Sequence, residues 1–284
     1  MLSLVLITLL WAFSFSLIGV YLAADVDPYI AVFVRMLLAT LLLLPFFRWQ
    51  SLSTSYALKL AGIGALQIGV MYILLYHAFI YLSVAEVLLF TIFTPLYITL
   101  IDEWLINRKP IPWRWWLAVA LSVIGAAIIR YQQLDTGFIT GFLLIQGANL
   151  AFAAGQVAYK RVATASANAQ IAHYALFFLG ALVVSGIATV LFADWSRQPS
   201  SAIHWGVLIW LGVVASGVGY LAWSMASKKV NIAQLATMNN MLIPAGLIVN
   251  FLFWGAELDW LQLLIGGAVI VSGVVIASRP ARST

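Results

Sequence analysis

The chain has 284 residues, 64% of them hydrophobic and only 8% charged, with a net charge of +5. So little polar surface excludes a soluble globular domain and indicates a polytopic membrane protein. The basic residues sit in short loops between apolar runs, so the positive balance is not a nucleic-acid footprint. The lack of cysteine excludes disulfides and thiolate metal sites, and three histidines far apart make no metal cluster.

In chain order, the first apolar run is Leu2 to Leu22. It lacks a basic leader and is long enough to span, so it reads as a membrane helix and not as a cleaved signal. A short acidic loop, Ala23 to Asp27, follows. Asp27-Pro28 reads as an N-cap and first-turn proline opening a second helix through Phe47. Arg48 to Lys59 reads as a polar connection, Leu60 to Leu82 as the third span and Val84 to Leu105 as the fourth. A basic, proline-punctuated loop, Asn107 to Arg114, leads into a fifth span ending near Ile129, and Tyr131 to Thr136 joins two halves. The second half reads as Gly137 to Tyr159, Gln170 to Phe192, Ile203 to Ala226, Ile232 to Trp254 and Trp260 to Ala277, with Asp194 to Ser201 as a polar loop and Arg279-Pro280 as the stop. The expected fold is all-α, with ten transmembrane helices.

Assigning loops alternately to two sides separates the basic residues. Arg48, Lys59, Arg108, Lys109, Arg114, Lys160, Arg161, Lys228, Lys229, Arg279 and Arg282 fall on one side; Arg130 and Arg197 fall on the other. The crowded side is read as cytoplasmic, with both termini on it. Tryptophans flank the spans as an interfacial belt: Trp49, Trp104, Trp113 and Trp115 inside, Trp195, Trp205, Trp254 and Trp260 outside.

The chain also repeats itself. Shifted by about 148 positions, Gly64, Gly69, Tyr72, Ala78, Ala85 and Gly125 fall on Gly212, Gly217, Tyr220, Ala226, Ala233 and Gly273. Five spans per half make equivalent helices cross in opposite directions, so residues 1–130 and 137–284 are expected to form two inverted five-helix repeats around a central cavity. Pro95 and Pro244 match with a slip of one. Each proline should break its helix and free the carbonyl four residues earlier, that of Thr91 or Asn240, beside that cavity.

Several short motifs carry a resemblance. They are the L-W-A-F-S-F-S of Leu10 to Ser16, the F-V-R-M-L-L of Phe33 to Leu38 and the A-F-I-Y-L-S-V-A of Ala78 to Ala85. The spacing of Pro244 to Glu257 and the glycines Gly125 and Gly273 belong with them. Together they resemble the EamA-type branch of the drug/metabolite transporter superfamily, over the whole chain. One departure stands out: thirteen positions after Pro95 is Arg108, not a glutamate. The resemblance implies ten helices, cytoplasmic termini, an inner-membrane location and export of small metabolites. Within the family the chain is similar to the amino-acid exporters, including the aromatic ones. Small multidrug members of the superfamily carry a glutamate in the first helix; Trp11 to Ser16 contains none.

No carboxylate sits deep in a span. Glu86 and Glu257 lie near outer ends, and Asp102-Glu103 lies near an inner end, so a buried-glutamate proton relay is not expected. Arg35 is the one charge well inside a helix. It either anchors a substrate carboxylate or snorkels to pair with Asp27 or Glu86. The candidate substrate site comprises Trp11, Gln67, Tyr76, His77, Tyr97, Asn149, Gln156 and Trp223: amides inside a bilayer should point inward, whereas most rings simply pack or face lipid. For each, interhelical packing or hydrogen bonding is the competing reading.

The expected function is a secondary transporter exporting neutral or zwitterionic solutes, amino acids and aromatic ones among them, by alternating access. It is expected to be no enzyme and to need no cofactor or metal. Its partners are a small-molecule substrate and the lipid bilayer, with no nucleic acid, and a monomer suffices. The rival reading is a membrane enzyme or lipid-handling protein with an interfacial site. Its sole candidate, Asp102-Glu103 with Arg108 and Lys109, reads better as a solvated helix end. A ligand sensor would need an output domain that the chain does not show.

Overall fold

The computed structural model describes residues 2–49, 52–108, 110, 113–129, 136–163, 166–230, 232–255 and 260–278. These form helical segments throughout: α1 (Leu2–Tyr21), α2 (Pro28–Leu43, with a 3-10 turn to Phe46), α3 (Thr54–Ala78), α4 (Val84–Ile106), α5 (Trp113–Ile129), α6 (Thr136–Lys160), α7 (Ala167–Phe192), α8 (Ala202–Ser227), α9 (Ile232–Trp254) and α10 (Trp260–Ser278). Seven of them, α1 to α4 and α6 to α8, are long and apolar enough to cross a membrane. Large apolar side chains point outward along them, Leu58, Val190 and Leu252 among the most exposed. In lipid that surface needs no cover, which is why none of these helices has a clear polar face.

Helix starts follow local chemistry. Asp27 caps α2 as expected, its Oδ1 accepting from the Tyr29 and Ile30 amides at 2.9 and 3.2 Å. Ser83 and Glu86 form a reciprocal capping box at the start of α4. Two starts come earlier than the apolar pattern predicts. Ser53 caps α3 and Ser166 caps α7, so part of the expected 48–59 connection is helical. The hydroxyl cap sets those boundaries where the sequence pattern looked only at where hydrophobicity rises.

Three helices contain π-helical stretches that the sequence does not announce: Ala65–Val70 in α3, Leu100–Ile106 in α4 and Trp210–Val218 in α8. The first and third are equivalent under the 148-residue shift. Packing is likewise reciprocal. The α3 segment packs on α7 and α8 on α2; α1 packs on α9 and α6 on α4; α6 touches α3 and α1 touches α8; α5 and α10 pack on each other. Close backbone approaches carry part of this. A Cβ on Gly64 would stand 1.8 Å from the Phe177 carbonyl oxygen, and one on Gly180 would stand 1.8 Å from that of Ala61. Gly212 lies against α2 less tightly, 3.0 Å from the Arg35 carbonyl oxygen on the same construction.

The two prolines behave differently. At Pro95 the α-helix is interrupted by a 3-10 turn, Thr91–Phe93. The carbonyl taken up by a partner there is that of Phe90, one residue before the expected Thr91; Asn149 Nδ2 donates to it at 2.8 Å. Pro244 lies inside α9, which stays α-helical from Ile232 to Trp254, and its ring is exposed on the outer face. Both helices border the cavity through neighbours of the prolines, Thr91 and Thr94 on α4 and Asn239 and Leu242 on α9, but only at Pro95 is the α-helix interrupted.

Candidate functional site

A cavity of about 70 Å³ lies among α1, α2, α3, α4, α6, α8 and α9. That is room for several water molecules. One wall is aromatic. Trp11 packs against Tyr220 and Trp223 with ring centroids 4.6 and 4.9 Å apart, and Phe15 and Phe152 extend the surface. The α8 π-stretch helps to build this wall, because its irregular turn exposes a carbonyl: Trp11 Nε1 donates to Ala215 O at 2.8 Å.

The polar end is Arg35, fully buried on α2. Its Nε donates to Ser216 Oγ at 2.7 Å, one Nη to Tyr72 Oη at 2.6 Å and the other to Tyr76 Oη at 3.3 Å. The guanidinium carbon also lies 3.9 Å from the centre of the Tyr72 ring. Tyr72 in turn donates to Tyr220 Oη at 3.1 Å. Tyr72 and Tyr220 are partners in the 148-residue repeat, so equivalent side chains of the two halves meet at the cavity. Arg35 is thus no snorkelling residue paired with Asp27 or Glu86. Asp27 caps α2 and accepts from the Asp194 amide, and Glu86 accepts from Ser83.

Of the residues expected at the site, Trp11, Asn149 and Trp223 line the cavity. Tyr76 is buried behind it on Arg35, and Gln156 accepts from Trp223 Nε1 at 3.4 Å. Gln67 is buried against Gly155, where a Cβ would come within 2.2 Å of its own. His77 faces away: Nδ1 lies 2.7 Å from Ile73 O and its ring packs edge-on against Tyr29. Tyr97 donates to Gln146 Oε1 at 3.2 Å, outside the cavity lining. Tyr72, Ser14, Thr94 and Tyr220 also line the cavity and were not among the expected site residues, and Thr91, expected there through its carbonyl, lines it as well. The matched pair Tyr72 and Tyr220 in the repeat was the signal for two of these.

Among the described residues, none that lines the cavity is acidic. Ser14 Oγ, on the cavity and 96% buried, has no hydrogen-bond partner. Polar ties close the helix bundle at its two ends. At one, Arg197 donates to the Ala23 and Ala24 carbonyls and Asp27 N donates to Arg197 O, joining loop 22–27 to loop 193–201. There Ser196 holds the Asp194 carboxyl below the usual carboxylate range through hydrogen bonds from its hydroxyl and amide. At the other end Lys160 Nζ donates to the Ser227 and Val230 carbonyls, Lys228 Nζ to Val162 O, and Arg161 pairs with Asp102. Asp102 is buried in that pair and is not the solvated helix end the sequence suggested. Lys109 and Glu257 lie outside the described residues.

Apolar spans wrapped around an aromatic, cation-bearing cavity define a multi-pass membrane transporter. The chain belongs to the EamA-like transporter family, which matches residues 1–131 and 139–279. It is 44% identical over 271 residues to the "Biotin transporter" of Escherichia coli (strain K12), covering 95% of this chain and 90% of that protein. It is 46% identical over 274 residues to a "Probable biotin transporter" of Pseudomonas aeruginosa, covering 95% of each. A solved structure described only as "Crystal structure of protein" superposes with a TM-score of 0.65 at 18% identity, covering 97% of this chain and 95% of that one. That likeness bears on the fold alone.

Proposed function

We propose that the protein is a secondary transporter that carries biotin, or a close analogue of it, through the central cavity by alternating access. The observation that carries this reading is the cavity itself: aromatic rings on one side and a buried cation on the other, in a chain 44% and 46% identical to proteins named for biotin transport. Aromatic walls suit a compact apolar body, and a few polar groups orient it. The amino-acid cargo expected from the sequence gives way to biotin, because neither of those relatives is named for amino acids.

In this reading residues 1–130 and 137–284 are two inverted five-helix repeats. The reciprocal packing, the matched π-stretches and the Tyr72–Tyr220 contact support it. Both termini lie in the cytoplasm, the membrane is the inner membrane, and one chain encloses the whole pathway. Rocking of one half against the other would release the polar ties at one end while keeping those at the other. A biotin-requiring bacterium stripped of its own biotin uptake tests the cargo. Expression of this protein should restore growth on low external biotin; absence of rescue with the protein present in the membrane contradicts the proposal.

A further inference from the structure

We propose that Arg35 is the carboxylate-binding residue of the cavity and that the cargo class is a monocarboxylic acid on an apolar body. This rests on the transport reading above and adds to it the group that the site recognises. The observation is a charge without a counter-charge. Arg35 is fully buried, borders the cavity, and has only hydroxyls as named hydrogen-bond partners: Ser216, Tyr76 and Tyr72. A buried cation is normally kept where a carboxylate or phosphate meets it. No acidic residue lines this cavity among the described residues, so the missing anion is supplied by what enters it.

The geometry of the donors favours a carboxylate. Those three bonds use the Nε hydrogen and one hydrogen on each terminal nitrogen. One N–H therefore remains on each Nη, free to donate to a carboxylate oxygen. Ser216 and the tyrosines hold the guanidinium in place, so little freedom is lost when a carboxylate engages. Tyr220 accepts from Tyr72, which leaves its own hydroxyl proton to donate. Ser14 is a second, independent pointer: a buried hydroxyl on the cavity with no protein partner. One cation balances one carboxylate, and a second carboxylate would enter an apolar space uncompensated. Dicarboxylates are therefore excluded by the same charge that recruits monocarboxylates.

Competition for labelled biotin uptake by the wild-type protein in proteoliposomes tests this without any variant. Desthiobiotin, which keeps the carboxylate, should compete within a few-fold of biotin. Biotin amide, which has the same body without the charge, should compete at least tenfold less well. In Arg35→Gln that preference for acid over amide should collapse. Equal competition by acid and amide in the wild-type protein overturns the proposal, and so does a folded Arg35→Gln that keeps the preference. If the vesicles take up no biotin at all, the cargo assignment fails separately. The anchor is then decided by thermal stability of the purified protein with pentanoate and octanoate against their amides. A concentration-dependent rise with the acids alone supports it, and no difference between acids and amides overturns it.

Discussion

Replacing Trp223 by alanine should weaken cargo binding more than it slows turnover. Trp223 is 1% exposed and is the largest of the fully buried side chains. Its ring stands 4.9 Å from that of Trp11, and both line the cavity. A ring contact of this kind is worth about 0.5–1.5 kcal/mol beyond simple burial. At about 1.4 kcal/mol per tenfold, its loss raises the half-saturating cargo concentration roughly two- to tenfold. The hydrogen bond to Gln156, at 3.4 Å, is long and adds little. Truncating a buried tryptophan also costs stability, about 3–5 kcal/mol in a close-packed core, so the assay must follow folding as well as flux. Initial uptake rates against biotin concentration, measured beside the melting temperature of the same preparation, separate the two. Trp223→Phe keeps a ring and should recover most of the affinity. A folded Trp223→Ala protein with unchanged half-saturation would show that this wall does not touch the cargo.

Two other predictions concern the frame. Gly180→Ala places a methyl 1.8 Å from the Ala61 carbonyl oxygen, a backbone atom that cannot swing aside, so α3 and α7 must separate. The cost is about 1–3 kcal/mol or more, read as a lower melting temperature, whereas Gly62→Ala, whose added methyl meets nothing within 4 Å, should not lower it. Because the chain has no cysteine, single cysteines at the exposed residues Ser53, Arg108 and Ser196 report topology directly. An impermeant maleimide should reach Ser196→Cys from outside intact cells and the other two only after lysis; labelling of Arg108→Cys and Ser196→Cys from the same side would break the proposed topology.

Much of the frame was legible in the sequence because bilayer thickness sets the length of apolar runs and capping chemistry is local. Asp27 before Pro28 is an example: the N-cap read from two adjacent residues is the N-cap observed. Ser53 and Ser166 were overlooked because they precede the rise in hydrophobicity that marked the helix start. The site was harder. In lipid both faces of a helix are apolar, so periodicity does not say which way Gln67, His77 or Tyr97 points. His77 finds its partner one turn back on its own helix, a contact that sequence spacing permits but does not select. Arg35 presented the opposite problem. A long basic side chain on a membrane helix can snorkel, and the π-stretch that brings Ser216 to Arg35, with Tyr72 and Tyr76 alongside, holds it inward. Pro244 shows that a matched proline in a repeat need not have a matched role, since α9 runs on through it.

The proposed cargo of this cavity is biotin, carried across the membrane. Counterflow in proteoliposomes tests it most directly: purified protein is reconstituted, the vesicles are loaded with unlabelled biotin, and trace labelled biotin is added outside. Label should accumulate transiently above equilibrium, and excess external biotin should suppress it. No accumulation by folded, reconstituted protein, together with counterflow of an amino acid under the same conditions, would contradict it.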